Sequence, residues 1–284
     1  MTPLSNTVRE MYDRGTAELV KHGIEDAEFD SLQLCLTAAG IDRTEFLLSP
    51  DRKVSEAEAL RFDNMIAERA CRRPLQYIIG EQSFFGRSFS VGEGVLIPRP
   101  ETEQLVDFCI EKIKKNGYKT VFDLCAGTGC IGITVACECP QTEVYLFELF
   151  DGAFGFLKKN AALCDDGRVH LIRCDVLEGM PDGLPAPDVI ISNPPYIKSG
   201  DISVLQSEVR CEPSTALDGG VSGLVFYGTI ARKWLPFLKN GGFAAVECGE
   251  GQCGAIAELF SVHGKTEIIN DFYGADRFVT VNQR

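Results

Sequence analysis

The sequence predicts an α/β protein built on an open, doubly wound sheet, and three observations carry that expectation. From residue 120 onward, short apolar runs alternate with stretches long enough for helices, the pattern of parallel strands buried on both faces. A glycine-bearing turn at 123–129 follows the first of those runs and opens a helix. The chain of 284 residues is 45% hydrophobic and 24% charged, the balance of a globular protein, and it is longer than one core usually serves. A large domain with a smaller companion is expected.

The companion comes first. Between residues 5 and 73 apolar side chains recur at helical spacing: Val8, Met11 and Tyr12, then Phe29, Leu32 and Leu36, then Ala59, Leu60 and Ile66. Short amphipathic helices follow from that period. Ser55-Glu56-Ala57-Glu58 fits a capping box, in which serine and glutamate each satisfy a backbone N–H at a helix start. Arg72-Arg73-Pro74 ends the helical period, and 83–97 reads as two strands with turns at Gly86 and at Gly92-Glu93-Gly94. Strand candidates then fall at 120–124, 144–147, 170–173, 189–192 and 243–247, with helices expected in the gaps. Two more, 267–270 and 278–281, have no helix between them, the mark of an antiparallel pair closing an otherwise parallel sheet. The expected division is a helical domain over 1–80, a β-hairpin linker over 81–97 and a seven-stranded domain over 98–284.

Composition excludes several functions. Lys and Arg number 28 against 41 Asp and Glu, a net charge of −13, and residues 1–80 share the imbalance with 10 basic and 14 acidic side chains. A protein that gains affinity by releasing counterions from nucleic acid needs a basic surface, so no direct nucleic-acid contact is expected. Apolar runs such as Val189-Ile190-Ile191 and Phe243-Ala244-Ala245-Val246 fall far short of the roughly 20 residues that cross a bilayer. Residues 1–10 carry no apolar run after a basic start, so no secretory signal, no membrane contact and a cytoplasmic location are expected. The 12 cysteines are scattered without Cys-x-x-Cys pairs and have only three histidines beside them. Reduced thiols and no metal are the expectation.

Two clusters carry chemistry. Asp123-Leu124-Cys125-Ala126-Gly127-Thr128-Gly129 joins a strand to a helix, where glycines let the chain bend and a ligand approach closely. Glu148 stands 19 positions beyond Gly129, near the roughly 20 expected of a carboxylate holding ribose hydroxyls, and Asp175 ends the third strand. Gly127-x-Gly129-x-x-Gly132 also permits a dinucleotide, but Asp123 and the acidic surroundings suit a cationic ligand better than a pyrophosphate. The second cluster, Asn193-Pro194-Pro195-Tyr196, follows the fourth strand at the edge where open α/β sheets bind ligands. Its prolines leave carbonyl acceptors with little freedom. The Asn193 oxygen and the Pro194 carbonyl then match the two hydrogens of one planar –NH2 group, and the Tyr196 ring can stack on that plane.

With these residues, the chain resembles the release-factor glutamine methyltransferases, the HemK or PrmC family. The resemblance extends over Arg73-Pro74-Leu75-Gln76-Tyr77-Ile78-Ile79-Gly80, Phe84-Phe85-Gly86, Ile97-Pro98-Arg99-Pro100-Glu101-Thr102-Glu103, Glu212-Pro213 and Ala216-Leu217-Asp218-Gly219-Gly220. It implies a Rossmann-like methyltransferase sheet behind a helical substrate-recognition domain. It implies S-adenosylmethionine as methyl donor, leaving S-adenosylhomocysteine, and as substrate the glutamine of the Gly-Gly-Gln motif in class I peptide chain release factors. It places the cofactor at Asp123, Cys125, Ala126, Gly127, Thr128, Gly129, Glu148, Asp175, Val176 and Asn193, and the catalysis at Asn193, Pro194, Pro195 and Tyr196. Cys125 stands where the family has the first glycine of the loop, Glu148 where an aspartate is usual, and Val176 where a tryptophan is frequent. A monomer is expected. Rival activities with the same Asn-Pro-Pro-Tyr chemistry are glutamine methylation of a ribosomal protein and N6-methylation of adenine in DNA, the latter disfavoured by the acidic balance.

Overall fold

Thr7 and Ser55 each open a helix with a reciprocal capping box, Thr7 with Glu10 and Ser55 with Glu58. The second matches the box expected from Ser55-Glu56-Ala57-Glu58. The computed structural model describes residues 7–164 and 167–284, so the stretch expected to turn helical from Ser5 begins outside the described residues. It divides into two units, the chain to Gly80 with Ser207–Cys211, and Glu81–Gln206 with Glu212–Arg284.

The first unit is helical: α1 (Val8–Lys21), α2 (Ala27–Ala39), α3 (Arg43–Leu48), α4 (Glu56–Ala70) and α5 (Leu75–Ile79). Their apolar faces meet around Met11, Leu19, Leu34, Phe62 and Ile66. Arg69 is buried and bonds Asp30 at 2.6 Å and Glu208 at 3.1 Å. Burial raises the Asp30 carboxyl despite that partner, so the ion pair orients α2 and α4 more than it stabilises them.

The second unit opens on the hairpin β1 (Glu81–Phe84) and β2 (Arg87–Ser90), turned by Phe85 and Gly86, both at positive φ. The turn at Gly86 matches the sequence pattern. So do the two strands, while the rest of the expected stretch, residues 91–97, is irregular: Ile97 N–H and the Arg99 side chain are held by buried Glu212. Helix α6 (Pro100–Asn116) has proline at its first position, Glu101 and Glu103 in its first turn, Lys114 and Lys115 in its last, and Gly117 in the left-handed conformation as its stop.

The sheet then forms from β3 (Thr120–Leu124), β4 (Glu143–Glu148), β5 (Val169–Arg173), β6 (Val189–Ser192), β7 (Phe243–Glu247), β8 (Gly264–Asn270) and β9 (Asp276–Gln283), in the order β5-β4-β3-β6-β7-β9-β8. The first five are parallel, and β9 pairs antiparallel with both β7 and β8. Alternate residues feed two cores. Val121, Val144, Val189 and Phe243 pack with α6, α7 (Cys130–Glu138) and α8 (Asp151–Ala161), while Phe122, Phe147, Ile190 and Ala244 pack with α9 (Val225–Lys233) and α10 (Cys253–Phe260). The doubly wound expectation holds, with one departure. No α-helix fills residues 174–188; that crossover is an irregular segment pinned where Trp234 Nε1 donates to the Val176 carbonyl at 2.9 Å. Cys248 and Cys253 form a disulfide, against the expectation that all twelve thiols are reduced. Among the described residues, no helix is long and apolar enough to cross a membrane.

Candidate active site

Strand order reverses between β3 and β6, and a ligand crevice belongs at the carboxyl ends of the strands on either side of such a point. There the loop after β3 and the segment after β6 line one cavity of about 430 Å³, within the range of small-molecule sites. Ser192 Oγ ties the two strand ends together by donating to the Leu124 carbonyl at 2.6 Å.

The loop is held from below. Cys125 takes φ 60° and Gly127 φ 56°, left-handed backbone that only glycine enters freely. Gly129 at φ 81° caps α7, and a Cβ there would lie 2.5 Å from Leu157. Glu148, at the end of β4, accepts from Gly127 N–H at 2.9 Å through one oxygen, and from Leu149 and Phe150 N–H at 2.8 and 2.9 Å through the other. Three of about four acceptor positions are thus occupied by backbone, and Glu148 still lines the cavity. Asp175 accepts from Leu177 N–H at 2.8 Å with one oxygen and lines it with Val176.

Of the residues read as cofactor contacts, Cys125, Ala126, Gly127, Thr128, Glu148, Asp175, Val176 and Asn193 line this cavity. Asp123 and Gly129 do not. Asp123 is fully buried behind the loop, where its Oδ2 accepts from Gly132 N–H at 2.9 Å, and burial pushes its carboxyl up to about 7. Its place is a tie between β3 and α7. The acidic character facing a ligand comes instead from Glu148, Asp175 and Asp218. Arg99, the one Lys or Arg among the lining residues, is paired with Glu212.

Of the Asn193–Tyr196 cluster, Asn193 and Pro195 reach the cavity; Pro194 is buried, and Tyr196 packs against the core. Burial pushes the Tyr196 hydroxyl up to about 12. Its backbone carbonyl accepts from Gln252 Nε2 at 2.8 Å. The next residue pairs with the Leu217–Gly219 segment: Ile197 N–H donates to Leu217 and Gly219 N–H to Ile197, at 2.9 and 2.8 Å. Gly219 is required there, since a Cβ would sit 2.8 Å from the Pro195 oxygen and from Tyr196 Cα. Sequence reasoning missed Thr102 and Glu247. Thr102 Oγ1 donates to Glu247 at 2.6 Å and accepts from Asn193 Nδ2 at 3.2 Å. The available signal was Glu247 itself, an acid closing an apolar strand at the ligand edge.

The glycine loop, the acid closing β4 and the Asn193–Tyr196 turn thus meet at the carboxyl edge of a Rossmann-like mixed sheet, and similarity to known proteins gives the class, a methyltransferase. Residues 10–80 match the PrmC N-terminal domain family and 103–220 the methyltransferase small domain family. Relatives from Clostridium botulinum and Geobacter sulfurreducens, both named release factor glutamine methyltransferase, are 33% and 36% identical to the chain over 276 residues. Each alignment covers 96% of this chain, and 98% and 95% of theirs. The chain belongs to the release factor glutamine methyltransferase family. At the level of fold alone, it is similar to the hMettl16 catalytic domain (TM-score 0.56, 15% identity, 88% of this chain and 90% of that one). It is likewise similar to a Pyrococcus furiosus methyltransferase (TM-score 0.51, 16% identity, 78% and 98%).

Proposed function

We propose that the protein methylates the side-chain amide nitrogen (N5) of the glutamine in the Gly-Gly-Gln motif of class I peptide chain release factors, acting as a monomer with S-adenosylmethionine as donor. The observation that carries this reading is the Asn193 carboxamide: its nitrogen is engaged by Thr102 while its oxygen accepts from no described group at the cavity wall.

The cavity residues fit that donor. Gly127 offers open backbone with Glu148 beneath it, and Asp175 keeps one oxygen without a described partner. Three acids against one neutralised arginine favour a cationic ligand. In the proposed complex Glu148 takes the ribose hydroxyls and Asp175 with Val176 the adenine edge, while Leu149, Phe150 and Phe226 add apolar wall. When bound, the cofactor supplies an electrophilic methyl on a sulfonium.

A glutamine amide is a weak nucleophile because its lone pair is delocalised, so the protein must orient it. Asn193 Oδ1, at the cavity wall, would accept one of its N–H bonds and orient its nitrogen for in-line attack, while Pro194, buried and off that wall, keeps the turn rigid. With the donor bound, the S–CH3 bond would break as the C–N bond formed, S-adenosylhomocysteine would leave, and the nitrogen, cationic until it gave up one hydrogen to water, would hold a stronger hydrogen bond to Asn193 Oδ1 in the transition state than before it. No side-chain base is required by this geometry. Asn193→Ala should lower turnover roughly 10²–10³-fold, the scale for one such group, with product affinity retained; near-normal turnover would remove Asn193 from this role.

A further inference from the structure

We infer that Thr102 and Glu247 are positioning residues that fix the Asn193 carboxamide with its oxygen toward the reacting amide, an inference that rests on the role assigned to Asn193 above. The three side chains come from distant parts of the chain, with Thr102 in the first turn of α6, Asn193 just after β6, and Glu247 closing β7. Thr102 and Glu247 are each only 2% exposed, and the hydroxyl bridges the other two at 2.6 and 3.2 Å.

The direction of this chain follows from donor chemistry. An ionised carboxylate only accepts, so the Thr102 hydrogen points to Glu247, and the remaining lone pairs of that hydroxyl face Asn193. Only an N–H satisfies them, which commits the Asn193 nitrogen inward and its oxygen to the cavity. Once Glu247 is protonated, the constraint is lost. The carboxylic acid can donate to Thr102, the hydroxyl can turn to donate to Asn193 Oδ1, and the flipped carboxamide would meet the substrate –NH2 with another –NH2. The glutamine then has one acceptor fewer and one clash more.

The groups around Glu247 place this event near neutrality. Burial raises its carboxyl to about 7, against the lowering influence of the Thr102 and Asn193 hydrogen bonds and of Arg277 from β9; Glu101 from α6 adds to the rise. Tyr196 beside Asn193, Tyr227 from α9 and Cys130 at the start of α7 also face it, and burial holds all three well above neutrality, hence uncharged. Tyr227 donates its hydroxyl to the Glu247 backbone carbonyl at 2.7 Å and leaves the carboxylate to Thr102.

The test is kcat at saturating release factor from pH 5.5 to 9 for the wild type, Glu247→Gln, Thr102→Val, Thr102→Ser and Asn193→Ala, with S-adenosylhomocysteine affinity by calorimetry as the check on folding. The expected wild-type kcat falls as pH drops through about 7. Glu247→Gln should flatten that limb and lower the plateau about tenfold, the factor one ordinary hydrogen bond supplies. Thr102→Val should lower kcat about tenfold with KM unchanged, and Thr102→Ser, which keeps the hydroxyl, should restore it. If Asn193→Ala is inactive while Thr102→Val and Glu247→Gln stay within twofold of wild type, the inference fails and the role of Asn193 stands. An acidic limb that persists in Glu247→Gln also overturns it, assigning the titration to another group such as Asp123. If Asn193→Ala is fully active, both fail. Should Thr102→Val not bind S-adenosylhomocysteine, the Thr102→Ser kcat and the paired pH profiles of wild type and Glu247→Gln decide.

Discussion

Replacing Asp123 by asparagine should make the protein more stable in alkaline than in acidic solution relative to its parent. Asp123 is fully buried, one oxygen accepts from Gly132 N–H at 2.9 Å, and the other has no partner among the described residues. Burial raises its carboxyl from 3.8 to about 7. A raised carboxyl means that between those values the folded chain binds a proton the unfolded chain has lost, so stability falls as pH rises through the window and levels off above about 7. That rise corresponds to roughly 4 kcal/mol over the whole window, and the part between pH 5 and 7 to roughly 3 kcal/mol. Asparagine keeps an acceptor for Gly132 and carries no charge at any pH, at a constant cost of about 1–3 kcal/mol for its unpartnered –NH2. The difference between variant and parent should therefore swing by roughly 3 kcal/mol in the variant's favour from pH 5 to pH 8. Urea unfolding of both proteins at the two pH values measures that swing, and every other titrating group cancels. A difference that does not change with pH would show that Asp123 is not a buried, largely uncompensated acid.

Glu148→Gln should weaken S-adenosylhomocysteine binding roughly 10–100-fold, because one oxygen cannot serve both Gly127 and the Leu149–Phe150 amides while still meeting ribose; an unchanged calorimetric Kd would move the ribose contact elsewhere. Cys125→Gly should raise the thermal midpoint by a few degrees, since left-handed backbone costs a non-glycine residue roughly 1–2 kcal/mol and glycine gives back about 0.5–1 kcal/mol as chain entropy. A lower midpoint would mean that the thiol's packing outweighs the strain. A chain beginning at Glu81 should bind S-adenosylhomocysteine normally and methylate a short Gly-Gly-Gln peptide, yet act poorly on the intact factor, as expected if the helical unit supplies remote contact surface. Equal losses on both substrates would end that role for the helices.

Much of the frame was legible because it depends on near neighbours. The Ser55–Glu58 cap, the Gly86 turn, the buried strand at Phe243–Glu247 and the antiparallel last pair are each written within a few residues. So is Asn193–Tyr196, whose prolines act locally. What stayed hidden depends on long-range partners. Nothing near residues 95–99 in the sequence shows that Glu212, over a hundred positions on, takes the Ile97 N–H and the Arg99 side chain. Asp123 read as a ligand because a strand buried on both faces has no polar alternation to tell which way a side chain points. The bridge from Asn193 through Thr102 to Glu247 joins residues 91 and 145 positions apart. No local spacing encodes that juxtaposition, and the Cys248–Cys253 bond was masked by ten other scattered cysteines.

The central claim is the identity of the methylated atom. It is tested most directly by incubating the full chain with a class I release factor and methyl-labelled S-adenosylmethionine, then mapping the label by peptide mass spectrometry. The account predicts a single labelled methyl on the side-chain nitrogen of the Gly-Gly-Gln glutamine, with the initial rate of labelling roughly 10²–10³-fold lower when Asn193→Ala is used. Label on another residue, or on a ribosomal protein with the release factor untouched, would contradict it.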